Sequence, residues 1–167
     1  MLQAVEKPRK ALDDAGCKTV LIAPDSETVQ AMNHDNKGVD VKMKDADPEK
    51  FDAVLLPGRV MNADKLRMND DARKFVKAID GSKKPIAVIC HGPWSLVSAR
   101  LVKGRHLTNY YSLQDDLRNA GAQWSEQETV VDGNWVSSRQ LNDIPAFNKA
   151  ILELFGKAKG KSHAAGW

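Results

Sequence analysis

Cys90 is the residue of this sequence best suited to nucleophilic chemistry. It closes an apolar run at 85–90 in which Ile and Val dominate, and a His-Gly-Pro segment follows at 91–93. A run without alternation is typical of a strand buried on both faces of a parallel sheet. Proline suits the first turn of a helix, here predicted over 94–99. The sequence therefore predicts a sharp strand-to-helix corner at Cys90.

The surroundings of such a corner favour a reactive thiol. The thiol lies above the carboxyl end of the sheet, beside free backbone N–H groups and the positive end of a helix dipole. We expect these groups to favour the thiolate, which is the nucleophilic form of cysteine. The alternative is a buried structural cysteine, since free cysteine packs as a small hydrophobic residue. By analogy with the strained nucleophile elbow of hydrolases, the corner favours the reactive cysteine.

Strands and helices alternate along the rest of the chain, which predicts the elements that position Cys90. Helices are predicted over 6–15, 69–80, 94–99, 112–120 and 144–155, and strands over 17–24, 52–57, 85–90 and 106–108, with a hairpin over 129–138. The segment 29–41 reads as irregular or as a hairpin and carries Asn33-His34-Asp35, which could frame a small site. The alternation predicts an α/β fold with a mostly parallel sheet and helices on both faces. Ligands bind at the carboxyl ends of such strands, where Cys90 and the Gly58-Arg59 loop would both lie.

Composition excludes several classes of function. The 167 residues are 42% hydrophobic and 28% charged, with a formal net charge of +3. Basic and acidic residues are interleaved, so we expect no nucleic-acid partner and no membrane partner. The two cysteines, Cys17 and Cys90, form neither a disulfide framework nor a metal-ligand cluster, and we expect no metal and no cofactor. Without a recognisable signal peptide or membrane span, we expect a cytoplasmic protein.

The length fits one domain. We place it over 1–156 and assign 157–167 to a flexible, basic C-terminal tail, because this stretch is rich in lysine and small residues.

Several motifs together resemble the ThiJ/PfpI superfamily, most closely its branch of PfpI-like intracellular proteases and general stress proteins. The resemblance covers nearly the whole chain, and its most specific part is Ile-Cys-His-Gly-Pro-Trp at 89–94. The other motifs lie at 8–12, 33–35, 54–58, 62–67, 107–108, 116–117, 119–122, 130–134, 138–139 and 143–147.

This resemblance implies a flavodoxin-like sandwich, related to class I glutamine amidotransferases, with Cys90 as nucleophile and His91 as base. The orienting carboxylate comes from a neighbouring subunit in the PfpI branch, and the matching position is Asp64, so a homo-oligomer is implied. For Asp64 the alternative is a helix cap. The backbone N–H groups of His91 and of the Gly58-Arg59 loop would form the oxyanion hole.

The chain departs from the family pattern in two places. Arg59 stands where the family usually has a second glycine, and its side chain could bind an anionic group, support the thiolate or point to solvent. If the turn needs a positive φ, Arg59 would be strained. The second departure is the family's first apolar strand and its glutamate, which by counting back from Pro8 falls at Met1. We expect the loss of that strand to leave a slot at the centre of the sheet, unless another chain supplies a strand.

Three functions remain open from the sequence. The first is a cysteine hydrolase with peptidase, deglycase or glyoxalase-like chemistry on carbonyl or peptide substrates. The second is a thiol redox sensor or chaperone-like stress protein with little or no turnover. The third is a degraded paralogue whose role is oligomerisation. A glutamine amidotransferase is disfavoured, because that class needs a His and Glu pair late in the chain, and the segment before the tail offers no such pair, while His163 lies in the tail.

Overall fold

A computed structural model describes residues 3–24, 28–30, 36–157 and 163–166, in which strands and helices alternate. The helices are α1 (Gln3–Asp14), α2 (Val60–Met68), α3 (Asp70–Gly81), α4 (Pro93–Ser98), α5 (Gln114–Asn119) and α6 (Ile144–Gly156). The strands are β1 (Thr19–Ala23), β2 (Thr28–Gln30), β3 (Asn36–Gly38), β4 (Val41–Lys42), β5 (Val54–Leu56), β6 (Ile86–Ile89), β7 (His106–Leu107), β8 (Gln123–Trp124), β9 (Thr129–Asp132), β10 (Trp135–Ser138) and β11 (His163–Gly166).

Seven of these strands form the main sheet, in the order β4-β1-β11-β5-β6-β10-β9. Every neighbouring pair is parallel except β10 and β9, which form an antiparallel hairpin at one edge. The pairs β2-β3 and β7-β8 form two small separate sheets. The predicted α/β class with a mostly parallel sheet is confirmed.

The central strands β5 and β6 are buried on both faces, as their apolar runs predict. Leu56 and Val88 face one apolar core, whereas Leu55 and Ile89 face another. Helices α2 to α5 contribute to the first core, and α1 and α6 contribute to the second. The sheet is therefore the middle layer of a three-layer sandwich, which confirms the flavodoxin-like prediction.

Local signals in the sequence account for several element boundaries. The side chain of Asn69 accepts a hydrogen bond from the backbone N–H of Ala72 at 2.8 Å and so caps α3. Asp47 does the same for Glu49 at 3.0 Å before a short 3-10 turn. The predicted hairpin over 129–138 is present, with Gly133 at a φ of 58° between its strands.

The structure also differs from the predicted elements. Helix α2 was not predicted, because its exposed residues include Val60, Met61 and Met68 and blur the amphipathic pattern. Strand β8 was not predicted either, since it is only two residues long. The segment 29–41 contains the antiparallel pair β2-β3, while Asn33, His34 and Asp35 lie outside the described residues.

Strand β11 lies inside the segment for which the sequence predicts a flexible tail, and at these four residues the structure differs from that prediction. It pairs in parallel with β1 on one side and with β5 on the other. The sequence predicts an empty slot at the centre of the sheet, but β11 occupies the position between β1 and β5. The physical reason is that β11 gives hydrogen-bond partners to main-chain groups that would otherwise be buried without them.

None of the described helices combines the length and the apolar character needed to cross a membrane.

Candidate active site

Cys90 lies at the predicted corner between β6 and α4. Its φ is 60°, in the left-handed region that a residue with a side chain rarely adopts. The corner is tight, because a Cβ on Gly92 would lie 2.7 Å from the carbonyl oxygen of Leu56. Strain of this kind persists only where the surroundings impose it, and it is concentrated at functional sites. The predicted elbow is therefore present.

Two backbone hydrogen bonds hold the corner in place. The N–H of Cys90 donates to the carbonyl oxygen of Ser138 at 3.1 Å, and the N–H of Tyr110 donates to the carbonyl oxygen of Cys90 at 3.1 Å. Ser138 is itself anchored, since its hydroxyl donates to the carbonyl oxygen of Glu128 at 2.6 Å. The main chain of Cys90 is thus fixed from β10 on one side and from the segment after β7 on the other.

His91 stands beside the thiol, as the sequence predicts. Its Nδ1 lies 3.2 Å from the Sγ of Cys90. With the ring proton on Nε2, Nδ1 is an acceptor for the thiol proton. Adjacent residues point apart on a regular helix or strand, so this contact depends on the left-handed turn at Cys90.

Burial shifts the pKa of both Cys90 and His91. It raises the pKa of the Cys90 thiol, and the backbone N–H of His91, which hydrogen-bonds the sulfur, opposes that shift. Burial also lowers the pKa of His91. Both directions favour a neutral thiol beside a neutral imidazole. The direction of the Cys90 shift is opposite to the expectation of a stabilised thiolate at rest, because desolvation outweighs the hydrogen bond to the sulfur.

Gly58 packs directly against this pair. A Cβ at Gly58 would lie 2.3 Å from the Cβ of Cys90 and 3.1 Å from the backbone nitrogen of His91. Arg59 follows with a φ of 159° and a ψ of 144°, so it does not adopt a left-handed turn conformation. The structure thus brings the main chain of the Gly58-Arg59 loop beside the backbone N–H of His91, where the sequence places an oxyanion hole.

Two aromatic side chains enclose the His91 ring. Tyr110 stacks on it with ring centroids 5.0 Å apart and planes at 30°, and Trp94 meets it edge-on at 5.4 Å and 74°. The residue His91 is only 8% exposed, whereas Cys90 is half-buried. The imidazole is therefore largely shielded from water, whereas part of the residue Cys90 reaches the surface.

The relatives of this chain agree with the geometry of the corner. A model of the DJ-1/PfpI family matches residues 4–154. The chain belongs to the DJ-1/PfpI family. This confirms the resemblance stated from the sequence.

Three curated relatives show the range of names within the family. The chain is 41% identical to Deglycase PfpI of Pyrococcus furiosus over 116 residues, covering 70% of this chain and 69% of that protein. It is 40% identical over 148 residues to YraA of Bacillus subtilis, provisionally named a cysteine protease, covering 88% of this chain and 87% of that protein. It is 39% identical over 154 residues to General stress protein 18 of Bacillus subtilis, covering 90% and 89%.

A solved structure supports the fold. The ThiJ/PfpI domain protein of Brachyspira murdochii superposes with a TM-score of 0.87 at 20% identity, covering 94% of this chain and 90% of that chain. At this identity the likeness shows the fold alone.

Asp64, the orienting carboxylate that the resemblance implies, belongs to helix α2. It lies on the exposed side of α2, next to the buried Ala63. Among the described residues, no hydrogen bond or ion pair joins Asp64 to His91. A role for Asp64 from a second copy stays a prediction.

Sequence reasoning missed Tyr110 and the tryptophan contact to His91. Tyr110 lies three residues after the end of the short strand β7, and only the hydrogen bond from its N–H to the carbonyl oxygen of Cys90 shows why it is near the site. Trp94 belongs to the motif that carries the resemblance, but its indole N–H donates to Asp116, 22 residues away. No spacing signal indicates such a contact. Within the described part of the chain, no group of His, Cys, Asp and Glu side chains could hold a metal ion.

Proposed function

We propose that this chain is a cysteine-dependent hydrolase whose nucleophile, Cys90, attacks a carbonyl carbon with His91 as the base. The observation that carries the proposal is the left-handed corner at Cys90, with Sγ 3.2 Å from Nδ1 of His91. A nucleophile within hydrogen-bond reach of a base is the arrangement that covalent catalysis requires.

The neutral pair defines the first step. As Sγ bonds to the carbonyl carbon, the thiol proton moves to Nδ1 of His91 and the electron pair of the C=O bond moves to oxygen. The resulting oxyanion is stabilised by the backbone N–H groups near His91 and Gly58. With an acyl substrate, the oxyanion collapses, the leaving group takes the proton from His91, and water hydrolyses the thioester.

Small aldehyde adducts are the first candidate substrates, because Deglycase PfpI is among the relatives at 41% identity. An α-oxoaldehyde adds to Cys90 as a thiohemiacetal. Moving the hydrogen of the aldehyde carbon to the neighbouring ketone carbon then gives a hydroxyacyl thioester. One carbon is oxidised while the other is reduced, so no external oxidant is needed. Peptides are the second candidate, since they present the same electrophilic carbon.

Turnover measurements on the full chain test the proposal. The substrates are the adduct of methylglyoxal with N-acetylcysteine, followed by release of the free thiol and the hydroxy acid, and a fluorogenic peptide. We expect Cys90→Ala to lower kcat/KM by at least about 1,000-fold. Cys17→Ala is the matched control, because Cys17 is the other partly buried cysteine, and it should retain turnover. Equal turnover in the two variants would contradict the proposal.

A redox sensor is the second candidate function, favoured by the partial exposure of Cys90. It ranks behind the hydrolase, because burial raises the pKa of the Cys90 thiol and so lowers the fraction of the oxidisable thiolate. Selective oxidation of Cys90 by dilute peroxide, together with no turnover on either substrate, would support the sensor.

We also propose that Asp64 acts from a second copy of the chain, where its carboxylate would orient the ring of His91. Helix α2 presents apolar side chains beside Asp64: Met61 is 69% exposed and Met68 is 74% exposed. Exposed apolar side chains on one helix are suited to contact between copies.

Mixing two inactive variants tests this arrangement. In a dimer with sites completed in trans, Cys90→Ala and Asp64→Ala chains regain one complete site in each mixed dimer. Mixing them in equal amounts should then restore up to about a quarter of wild-type turnover. A mixture as inactive as its components would contradict a contribution of Asp64 from the second copy. Light scattering of the wild-type chain reports the oligomeric state separately.

A further inference from the structure

We propose that Trp94 is a positioning residue for His91, and that Asp116 fixes the orientation of Trp94 through the indole N–H. The inference rests on the proposed function and deepens it, because it identifies what holds the base in line with the nucleophile.

Two neighbouring aromatic side chains contact the His91 ring and limit its orientation. Tyr110 stacks on one face, while Trp94 meets the ring edge-on at 5.4 Å. Rotation of the imidazole about its Cβ–Cγ bond would move Nδ1 away from Sγ, and the two aromatic side chains oppose this rotation. The 3.2 Å contact between Cys90 and His91 therefore depends on where the indole lies.

Trp94 is held at its edge and on its face. Its Nε1–H donates to Oδ2 of Asp116 on α5 at 2.8 Å. The guanidinium of Arg67 on α2 lies over the indole, 5.1 Å from the ring centroid. Arg67 is anchored in turn, since its Nε donates to the hydroxyl of Ser98 at 3.0 Å. Two elements outside the corner thus orient the side chain that touches the base.

Because Asp116 is exposed, its role in positioning Trp94 can be distinguished from a role in the stability of the fold. Asp116 is exposed and Trp94 is half-buried, so a hydrogen bond between them adds little to the free energy of unfolding. Losing the bond frees the indole to move, which removes the edge contact to His91. The consequence should appear at the base rather than in global stability.

The charged and titratable groups near His91 determine in which direction its pKa would shift in the test. Among the described contacts, these are the Cys90 thiol and the phenol of Tyr110, which touch His91, and Arg67 and Asp116, which contact Trp94. If Trp94 moves, water reaches His91, and the pKa that burial lowers rises toward its ordinary value. If Asp116 acted only by its charge, its removal would disfavour the protonated imidazole and lower that pKa instead.

Four variants of the full chain distinguish these cases. Asp116→Ala removes the acceptor, and Trp94→Phe keeps a ring but removes the donor. Asp116→Asn keeps an acceptor oxygen without the charge. Asp115→Ala is the matched control, because it removes a neighbouring exposed acid on the same helix.

The readouts are the NMR titration of the His91 ring and kcat on the adduct substrate. We expect Asp116→Ala and Trp94→Phe to raise the titration midpoint of His91 and to lower kcat by about ten-fold, with little change in KM. The double variant should be no worse than either single one, since both break the same contact. Asp116→Asn and Asp115→Ala should behave as wild type.

Two results would overturn the inference. In one, Asp116→Ala matches Asp115→Ala in the His91 titration. In the other, Asp116→Ala and Asp116→Asn both lower the midpoint, which would show a purely electrostatic effect. The titration needs no substrate, so it decides the inference even if the wild-type chain shows no turnover and the proposed hydrolase fails.

Discussion

A half-buried thiol beside a neutral imidazole becomes nucleophilic only during the reaction, whereas a free thiolate is already nucleophilic at rest. Desolvation raises the pKa of Cys90 and lowers that of His91. The pair therefore stays neutral at rest, and charge develops only as the sulfur attacks. A resting neutral pair also limits unwanted oxidation of the sulfur.

The pH dependence of alkylation tests this description of the resting site. In a Cys17→Ser background, iodoacetamide should modify Cys90 slowly at neutral pH. The rate should rise with a midpoint above about 8.5, the value of an ordinary cysteine, because burial disfavours the thiolate. The measurement is the alkylation rate by intact mass across pH. A midpoint below that of a free cysteine would show a stabilised thiolate instead.

Gly58 allows the loop to approach the nucleophile. We expect Gly58→Ala to abolish turnover and to lower the free energy of unfolding by about 1–3 kcal/mol, because its Cβ would lie 2.3 Å from that of Cys90. Gly81→Ala is the control, since a Cβ there meets nothing within 4 Å. Urea unfolding and turnover check both variants, and wild-type turnover in Gly58→Ala would contradict the close approach.

At the scale of residues, the sequence predicts the reacting groups well, but it predicts the residues that surround them poorly. Cys90 and His91 are adjacent and follow a distinctive apolar run, so their types and order are visible in the sequence. Trp94 on α4 and Asp116 on α5 are 22 residues apart, and no local pattern encodes their hydrogen bond. The pKa directions could not be predicted either, because they depend on burial by side chains distant in sequence.

At the scale of elements, the ion pairs of Arg139 with Asp143 and Glu126 form a clamp directly after β10, the strand that holds the corner at Cys90. Arg139 donates from Nε and Nη2 to the two carboxylate oxygens of Asp143 at 2.8 and 2.9 Å, and from Nη1 to Glu126 at 2.7 Å. The hydrogen bond to Asp143 is the main reason that the pKa of Arg139 is raised. The clamp joins β10 to the start of α6, next to the Ser138 carbonyl that holds Cys90.

Removing the carboxylate of this clamp should destabilise the fold. Asp143 is 4% exposed, so Asp143→Ala leaves Arg139 without a bidentate partner in a largely buried place. We expect a loss of about 2 kcal/mol in the free energy of unfolding, measured by urea titration. Asn142→Ala, at an exposed neighbouring residue, should change it by less than about 0.5 kcal/mol. Equal stability of the two variants would contradict the role of the clamp.

Elements whose sequence has a clear apolar run or stripe could be predicted, and elements without such a pattern could not. Strands β5 and β6 follow from uninterrupted apolar runs, and α3 follows from a stripe that includes Phe75 and Ile79. Helix α2 has only Ala63 and Leu66 buried, so its sequence carries no clear stripe. Tertiary packing against α4, rather than the local pattern, gives this helix its place.

At the scale of the whole molecule, the sheet depends on its C-terminal strand. Strand β11 joins β1 and β4 to the rest of the sheet through parallel pairing with β1 and β5. The short sequence His-Ala-Ala-Gly has little intrinsic strand preference. Its conformation therefore comes from the two neighbouring ladders, which explains why the sequence indicates a tail there.

A proline in β11 tests this dependence. Ala165 is paired with Leu21 and with Leu55, and Ala165→Pro removes a backbone N–H from the centre of the sheet. We expect a loss of at least about 2 kcal/mol in the free energy of unfolding. Ala165→Ser retains the N–H and should change stability far less. If both variants unfold at the same urea concentration, β11 does not support the sheet.

The most direct test of the central claim is whether an acyl group is transferred to the sulfur of Cys90. The full chain is mixed with p-nitrophenyl acetate, release of p-nitrophenol is followed at short times, and the intact mass is recorded. We predict a burst equal to the concentration of sites and one acetyl group mapped to Cys90, in the wild type and in Cys17→Ala but not in Cys90→Ala. Acetylation that is the same in Cys90→Ala, or that falls on Cys17 or on lysines alone, would contradict a nucleophilic Cys90.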